Sequence, residues 1–129
     1  MIPEQQQVPG APQPPSSRDW QEFLTCIATN VWALRDKVAQ MATSAEADSL
    51  KVHVDAAHNA LRQVGVETQD YPPQPYHPGM NVEILVFQPQ SGIDREMISA
   101  TIRPTVYLGG QVINRGQVIV ATPERKEGP

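Results

Sequence analysis

The chain has 129 residues, a formal net charge of −4, 40% hydrophobic residues and a single cysteine. That length holds one domain or two small modules, each marginal alone, so pairing with a second copy enters the argument from the start. The acidic balance argues against nucleic acid, which demands a basic surface, and lone Cys26 cannot form an internal disulfide and fits a reducing compartment. No stretch approaches the ~18–20 apolar residues of a membrane span, and the N-terminus lacks the basic start and apolar run of a signal peptide. These features predict a soluble, cytoplasmic protein with no membrane partner.

Residues 1–18, MIPEQQQVPGAPQPPSSR, carry five of the thirteen prolines and few large apolar residues. They read as a disordered, Pro-rich tail. Pro9-x-x-Pro12 and Pro12-x-x-Pro15 have the spacing of SH3-type ligands, a match common by chance. From residue 19 the pattern changes. Trp20, Leu24, Ile27, Val31, Leu34, Val38 and Met41 alternate spacings of four and three, a heptad seam that packs one helix lengthwise on another. Ser16, Ser17 and Asp19 are capping candidates, and Asp19 with Glu22 has capping-box spacing.

Thr43 and Ser44 offer a second N-cap, with Thr43 and Glu46 again at box spacing. Ala47, Leu50, Val54, Ala57, Leu61 and Val64 make a second three-four seam. Gly65 then suits a C′ position of positive φ, with Val66 as its apolar partner. The two helices predict an antiparallel hairpin over 19–66. Two narrow stripes leave a thin core, and pairing two hairpins into a four-helix bundle is the economical remedy. A homodimer is expected, with Trp20, Leu24, Ile27, Val31, Leu34, Val38, Met41, Leu50, Val54, Ala57 and Leu61 at its seam. The alternative is one hairpin packed on the β-module of its own chain.

Residues 67–80, ETQDYPPQPYHPGM, form a Pro-rich connector. From 81 the period becomes two. Val82, Ile84 and Val86 share one strand face, and Leu85 and Phe87 the other. QPQSG, 88–92, reads as a loop, Met97–Arg103 as a second strand, and Pro104 as an edge or a bend. VYLGGQVINRGQVIV, 106–120, reads as three short strands. Gly109-Gly110 suits a two-residue turn with positive φ at both positions, and Asn114-Arg115-Gly116 a second turn. A small all-β domain is expected over 81–123, followed by a frayed charged tail at 124–129. The fold class is therefore α+β, a helical hairpin followed by a small β-domain.

Catalytic constellations do not emerge. His53 and His58 are five apart on a helix and cannot share a metal as i, i+4 histidines do. His77 sits in a loop without a nearby carboxylate. Cys26, beside seam residue Ile27, reads as a half-buried structural thiol. Gly109-Gly110 lacks the following helix and the Lys-Ser/Thr pair of a phosphate loop. Glu83 reads as a surface-facing strand carboxylate. Trp32, off the seam, packs on the bundle flank or anchors a partner, and the former is preferred. No metal, no cofactor and no enzyme activity are expected. A binding protein is.

The order of parts carries a resemblance. ALRQVGVE, 60–67, ends a helix in Gly-Val-Glu; YHPGMNVEILVF, 76–87, follows a short proline-rich gap; LGGQVINRGQVIVA, 108–121, closes the β-region. From roughly residue 24 to 122 the chain resembles GrpE, the nucleotide exchange factor of DnaK-type chaperones. The family's helix pair resembles 45–67. Its Leu/Phe-Asp-Pro-x-x-His lead-in resembles Tyr76-His77-Pro78-Gly79-Met80-Asn81. Its closing pattern resembles Leu108, Gly110, Ile113, Asn114, Gly116, Val118 and Val120. His77 replaces the usual Asp, Asn81 the usual His, Thr105-Val106 the usual Gly-Tyr, and Asn114 the usual Arg. The family's long N-terminal helix has no counterpart ahead of the hairpin, where the Pro-rich stretch stands.

The resemblance implies a co-chaperone that binds the nucleotide-binding domain of a DnaK-type chaperone as a dimer and promotes ADP release, without catalysis or cofactor. It places the β-domain contacts at Ile102, Gln111 and Val120, where Gln111 often corresponds to Arg in the family. A second reading is an adaptor that has kept such a fold and lost exchange. Residue patterning itself leaves Ile102 and Val120 equally compatible with the β-core.

Overall fold

Ser16 starts the first helix. In the computed structural model, which describes residues 16–124, α1 spans Ser17–Ala39. The expectations placed on 1–15 and 125–129 lie outside the described residues. The Ser16 hydroxyl accepts the Asp19 N–H at 3.1 Å, and the Asp19 carboxylate accepts the Ser16 N–H at 3.1 Å. The capping box is thus Ser16–Asp19 rather than Asp19–Glu22, and the helix begins two residues before 19. Glu22 instead pairs with Arg18 at 3.3 Å on the surface. α1 ends at Ala39, leaving Met41 beyond it.

Ser44, not Thr43, caps α2 (Ala45–Gln63), its hydroxyl accepting the Ala47 N–H at 3.0 Å. At the far end Gly65 takes φ +85° and donates its N–H to the Arg62 carbonyl at 3.0 Å. Val66, 1% exposed, folds back into one apolar cluster with Leu61. This is the expected C′–C″ closure.

Each predicted seam divides into two stripes. Val38, Ala47 and Val54 are buried within the single chain, and Leu24, Val31 and Leu61 are half-buried. Three residues on from each lies an exposed apolar position: Ile27, Leu34 and Met41 on α1 and its exit, Leu50, Ala57 and Val64 on α2 and its cap. Trp20 and Phe23, in edge-to-face contact at 5.8 Å, extend the α1 stripe toward its start. A three-residue step is a turn of about −60° at 3.6 residues per turn. Because the helices run antiparallel, the same offset brings both stripes to one open side of the hairpin. The sheets lie on the other flank, where α1 meets strands at residues 66–69, 105–108 and 111–114.

The β-region forms two sheets. β1 (Val66–Gln69), β5 (Thr105–Leu108) and β6 (Gln111–Asn114) make an antiparallel three-stranded sheet in the order β1-β5-β6. β2 (Gln74–Pro75), β4 (Met97–Arg103), β7 (Gly116–Pro123) and β3 (Val82–Gln90) make a four-stranded sheet in the order β2-β4-β7-β3, with β3 parallel to β7. The connector 67–80 is therefore not plain linker, since it contains most of β1 and all of β2. β3 runs on through the predicted loop to Gln90. Pro89 is tolerated there because β3 is an edge strand with one unpaired side. A register shift between Ile84 and Val86 breaks the expected alternation, so Val82 is buried while Val86 is exposed.

Gly109 and Gly110, at φ +58° and +83°, form the predicted turn between β5 and β6. Asn114-Arg115-Gly116 is not a hairpin turn. β6 and β7 belong to different sheets, and Arg115 alone carries the chain across. Pro104 carries it the other way, from β4 into β5; it bends the chain, but β4 is interior rather than an edge.

Both crossings close on Thr105, which is fully buried. Its hydroxyl donates to the Asn81 carbonyl at 2.7 Å and accepts the Gly116 N–H at 3.1 Å. With that proton committed, the buried Tyr71 hydroxyl donates to it at 2.5 Å. A Cβ on Gly116 would stand 2.8 Å from the Thr105 hydroxyl and 2.9 Å from its backbone nitrogen. Gly116→Ala should therefore cost more stability than Thr105→Val. The valine substitution leaves the Tyr71 hydroxyl unpaired, at about 1–3 kcal/mol. Urea midpoints measure both, and an unchanged midpoint for Gly116→Ala would contradict this account of the crossing.

Candidate functional site

The three positions singled out for partner contact do not share one surface. Val120 is 0% exposed and packs with Ile98, Val118 and Val82 in the core of the four-stranded sheet. Its expected role as a contact residue is corrected: it faces inward because the β4–β7 pairing puts Ile98 and Val120 opposite each other at the sheet centre. Ile102 is 43% exposed, at a register shift between Thr101 and Arg103 that leaves it without a partner on β7. Gln111 is exposed at the start of β6, paired with Leu108 across the glycine turn. Ile102 and Gln111 thus stand on different sheets.

Their neighbours in sequence, Arg103 and Val112, do come together. Arg103 and Asn114 line one groove of about 590 Å³ between α1 and β6. Arg103, Val112 and Arg115 line a second beside it. The Arg115 guanidinium is anchored, Nη2 donating to the Val82 carbonyl at 2.6 Å, so it braces the two sheets. Arg103 and the exposed Val112 were not anticipated. A charged residue closing an otherwise uncharged strand, as in MISATIR, is the signal that marks Arg103. A further exposed apolar run, Leu85-Val86-Phe87, lies on β3 at the unpaired sheet edge. The bulge that puts it there has no mark in the sequence.

The remaining candidates are placed individually. Cys26 is exposed rather than half-buried, and Asn30 donates to its carbonyl at 2.8 Å. His53 is exposed, as expected. His58 is half-buried on α2, contrary to the exposed position expected for it. Burial, then Arg35 and Arg62, pull its pKa below the ordinary histidine value. Among the described residues no group of three metal-ligating side chains forms. His77 is exposed, its backbone N–H against the Met80 sulfur at 3.3 Å. Tyr76 packs against the four-stranded core and donates its N–H to the Glu96 carbonyl at 3.0 Å, so the lead-in loop shapes the β-region. Trp32 is half-buried on the hairpin flank, its indole N–H 3.4 Å from the Asp70 carboxylate. Tyr71 has its pKa raised by burial and stays a neutral donor.

The exposed candidates are therefore Ile102 and Arg103 at the end of β4 and Gln111 and Val112 on β6, with Val120 in the core of the four-stranded sheet. The chain matches no protein-family model and no curated protein. No helix among the described residues is long and apolar enough to cross a membrane.

The burial pattern separates two kinds of substitution. Val120→Ala should lower stability by about 2 kcal/mol through loss of buried methyl groups. Ile102→Ala and Gln111→Glu should leave the melting temperature nearly unchanged. A neutral Val120→Ala in thermal unfolding would return that residue to the surface.

Proposed function

We propose that this chain is a GrpE-type co-chaperone, a cytoplasmic homodimer that binds the nucleotide-binding domain of a DnaK-type chaperone and promotes ADP release. The observation that carries the reading is the paired apolar stripe at seven-residue spacing on both helices, opposite a β-module reached directly from the helix C-terminus. The Gly65-Val66-Glu67 helix end, the Tyr76–Asn81 lead-in and the Leu108–Ala121 strand sequence add the motif resemblance. Two hairpins meeting through Trp20, Phe23, Ile27, Leu34, Met41, Leu50, Ala57 and Val64 would bury these stripes in a four-helix bundle. The β-modules would remain free on the outer flanks.

Exchange in this scheme is linkage. The factor binds the open, nucleotide-free chaperone more tightly than the closed form, and ADP weakens it by the same ratio. Moving an equilibrium from 1:99 to 99:1 takes roughly 5.5 kcal/mol of differential affinity. A few buried apolar contacts of ~1.5–3 kcal/mol each are of the size required. Ile102, Gln111 and Val112 supply the contact surface, and no bond is made or broken by the protein.

Dimerisation is tested by Leu34→Asp. Leu34 is 47% exposed in the single chain, so the variant should keep its helical circular dichroism. Light scattering should show a dimer for the parent at tens of micromolar and a monomer for the variant. A monomeric parent would overturn the bundle.

Exchange is tested by stopped-flow release of fluorescent ADP from a DnaK-type chaperone. Gln111→Arg should speed release and Gln111→Glu slow it, with the difference fading as salt rises. Release untouched by the parent protein, while dimerisation holds, would favour an adaptor with this fold over an exchange factor.

A further inference from the structure

The hairpin flank opposite the exposed stripes holds a cavity of about 280 Å³ between α1 and α2. Trp32 lies eight residues on from Leu24, and Asp55 eight on from Ala47. Each is turned about 80° to that side of its helix. The cavity has an apolar floor, made by the buried Val38 and Val54, and an indole wall, Trp32. Its charged rim is asymmetric. Arg35 and Lys51 both lie beside Asp55, at 3.6 and 3.8 Å, so the rim's two cations gather at one of its three carboxylates. Asp36 and Asp70 also line the cavity and form no ion pair among the described residues. Asp36 accepts only the Gln40 amide at 2.9 Å, and Asp70 only the Trp32 N–H at 3.4 Å.

Size and charge narrow the occupant. The volume, about 280 Å³, lies at the bottom of the ~300–1,000 Å³ range of cofactor and drug-sized pockets, a size that one long side chain can fill. An anion is disfavoured, because the rim carries three carboxylates against two cations and both cations already lie beside Asp55. A divalent metal would need a third ligand, and no such group forms among the described residues. An apolar floor takes a methylene stem, two carboxylates without cationic partners take a positive head, and an indole surface favours both. We propose that this cavity receives a lysine or arginine side chain from an extended segment of a partner protein. The inference stands apart from the exchange reading, because it uses the hairpin flank and neither Ile102 nor Gln111.

The test is a titration of the ¹⁵N-labelled full chain, read at the Trp32 indole N–H and assigned with Trp20→Phe. The probes are acetyl-Gly-Lys-Gly-amide, acetyl-Gly-Arg-Gly-amide and acetyl-Gly-norleucine-Gly-amide. The basic probes should shift the Trp32 resonance saturably with a dissociation constant on the order of millimolar, as suits a single side chain. The norleucine probe should not. Asp36→Asn with Asp70→Asn should weaken the basic probes about tenfold or more while leaving the rest of the spectrum in place. An equal response to norleucine would make the cavity a plain apolar slot, and no response to any probe would remove the site; either overturns the proposal. Arg125→Gln with Lys126→Gln in the full chain provides the last control. If it moves the Trp32 resonance without any probe, the occupant is the chain's own tail, and the partner assignment falls.

Discussion

One hydroxyl holds the β-region together. The chain crosses between its two sheets at Pro104 and again at Arg115, and both crossings meet at Thr105. A single oxygen there serves the Asn81 carbonyl, the Gly116 amide and the Tyr71 phenol. The Gly116 N–H and the Asn81 carbonyl also meet directly, at 3.1 Å, where β7 joins β3, so the hydroxyl must fit a contact already made and add the Tyr71 phenol to it. Threonine supplies one donor and two acceptor lone pairs at one point, which matches this demand. Gly116 follows as a requirement, because any side chain there would occupy the space of that hydroxyl. Tyr71 follows as well, drawn from the Pro-rich connector into the core, where Thr101 fixes its backbone on both sides, at 3.0 Å to its N–H and 2.9 Å to its carbonyl.

The helices obey a different constraint. A hairpin of two amphipathic helices has two apolar sides to satisfy and only one neighbour within its own chain. Ala28, 1% exposed and set between Val66 and Val106, shows where that neighbour is. It is small enough to let α1 approach the three-stranded sheet closely. The opposite side keeps Trp20, Ile27, Leu34 and Leu50 at 39–50% exposure. The fold thus satisfies one flank internally and leaves on the other an exposed apolar stripe at seven-residue spacing.

Much of this was legible in the sequence, for reasons that differ by element. The helices followed from heptad spacing and the glycine at 65. The Gly109-Gly110 turn followed from a backbone need that few other residues meet. Met97–Arg103 appeared with its predicted bounds. Periodicity alone could not say which half of each seam is used within the chain, since that depends on the side the sheet occupies. β1 and β2 were hidden among prolines because strands of four and two residues carry too little alternation to register. Val120 was misplaced because position within a motif does not report which face of a strand is covered, whereas its pairing beside Ile98 does. Thr105 was read only as a departure from a family pattern, since its role depends on three groups distant in the chain.

The closure at Gly65 has a mechanical consequence. Its carbonyl accepts the Gly109 N–H at 2.9 Å, and a Cβ on Gly65 would stand 3.4 Å from that same nitrogen. The end of α2 and the turn that presents Gln111 are thereby clamped backbone to backbone, with no side chain between them to yield. Side-chain substitution around the turn leaves this tie in place, because both of its atoms belong to the main chain.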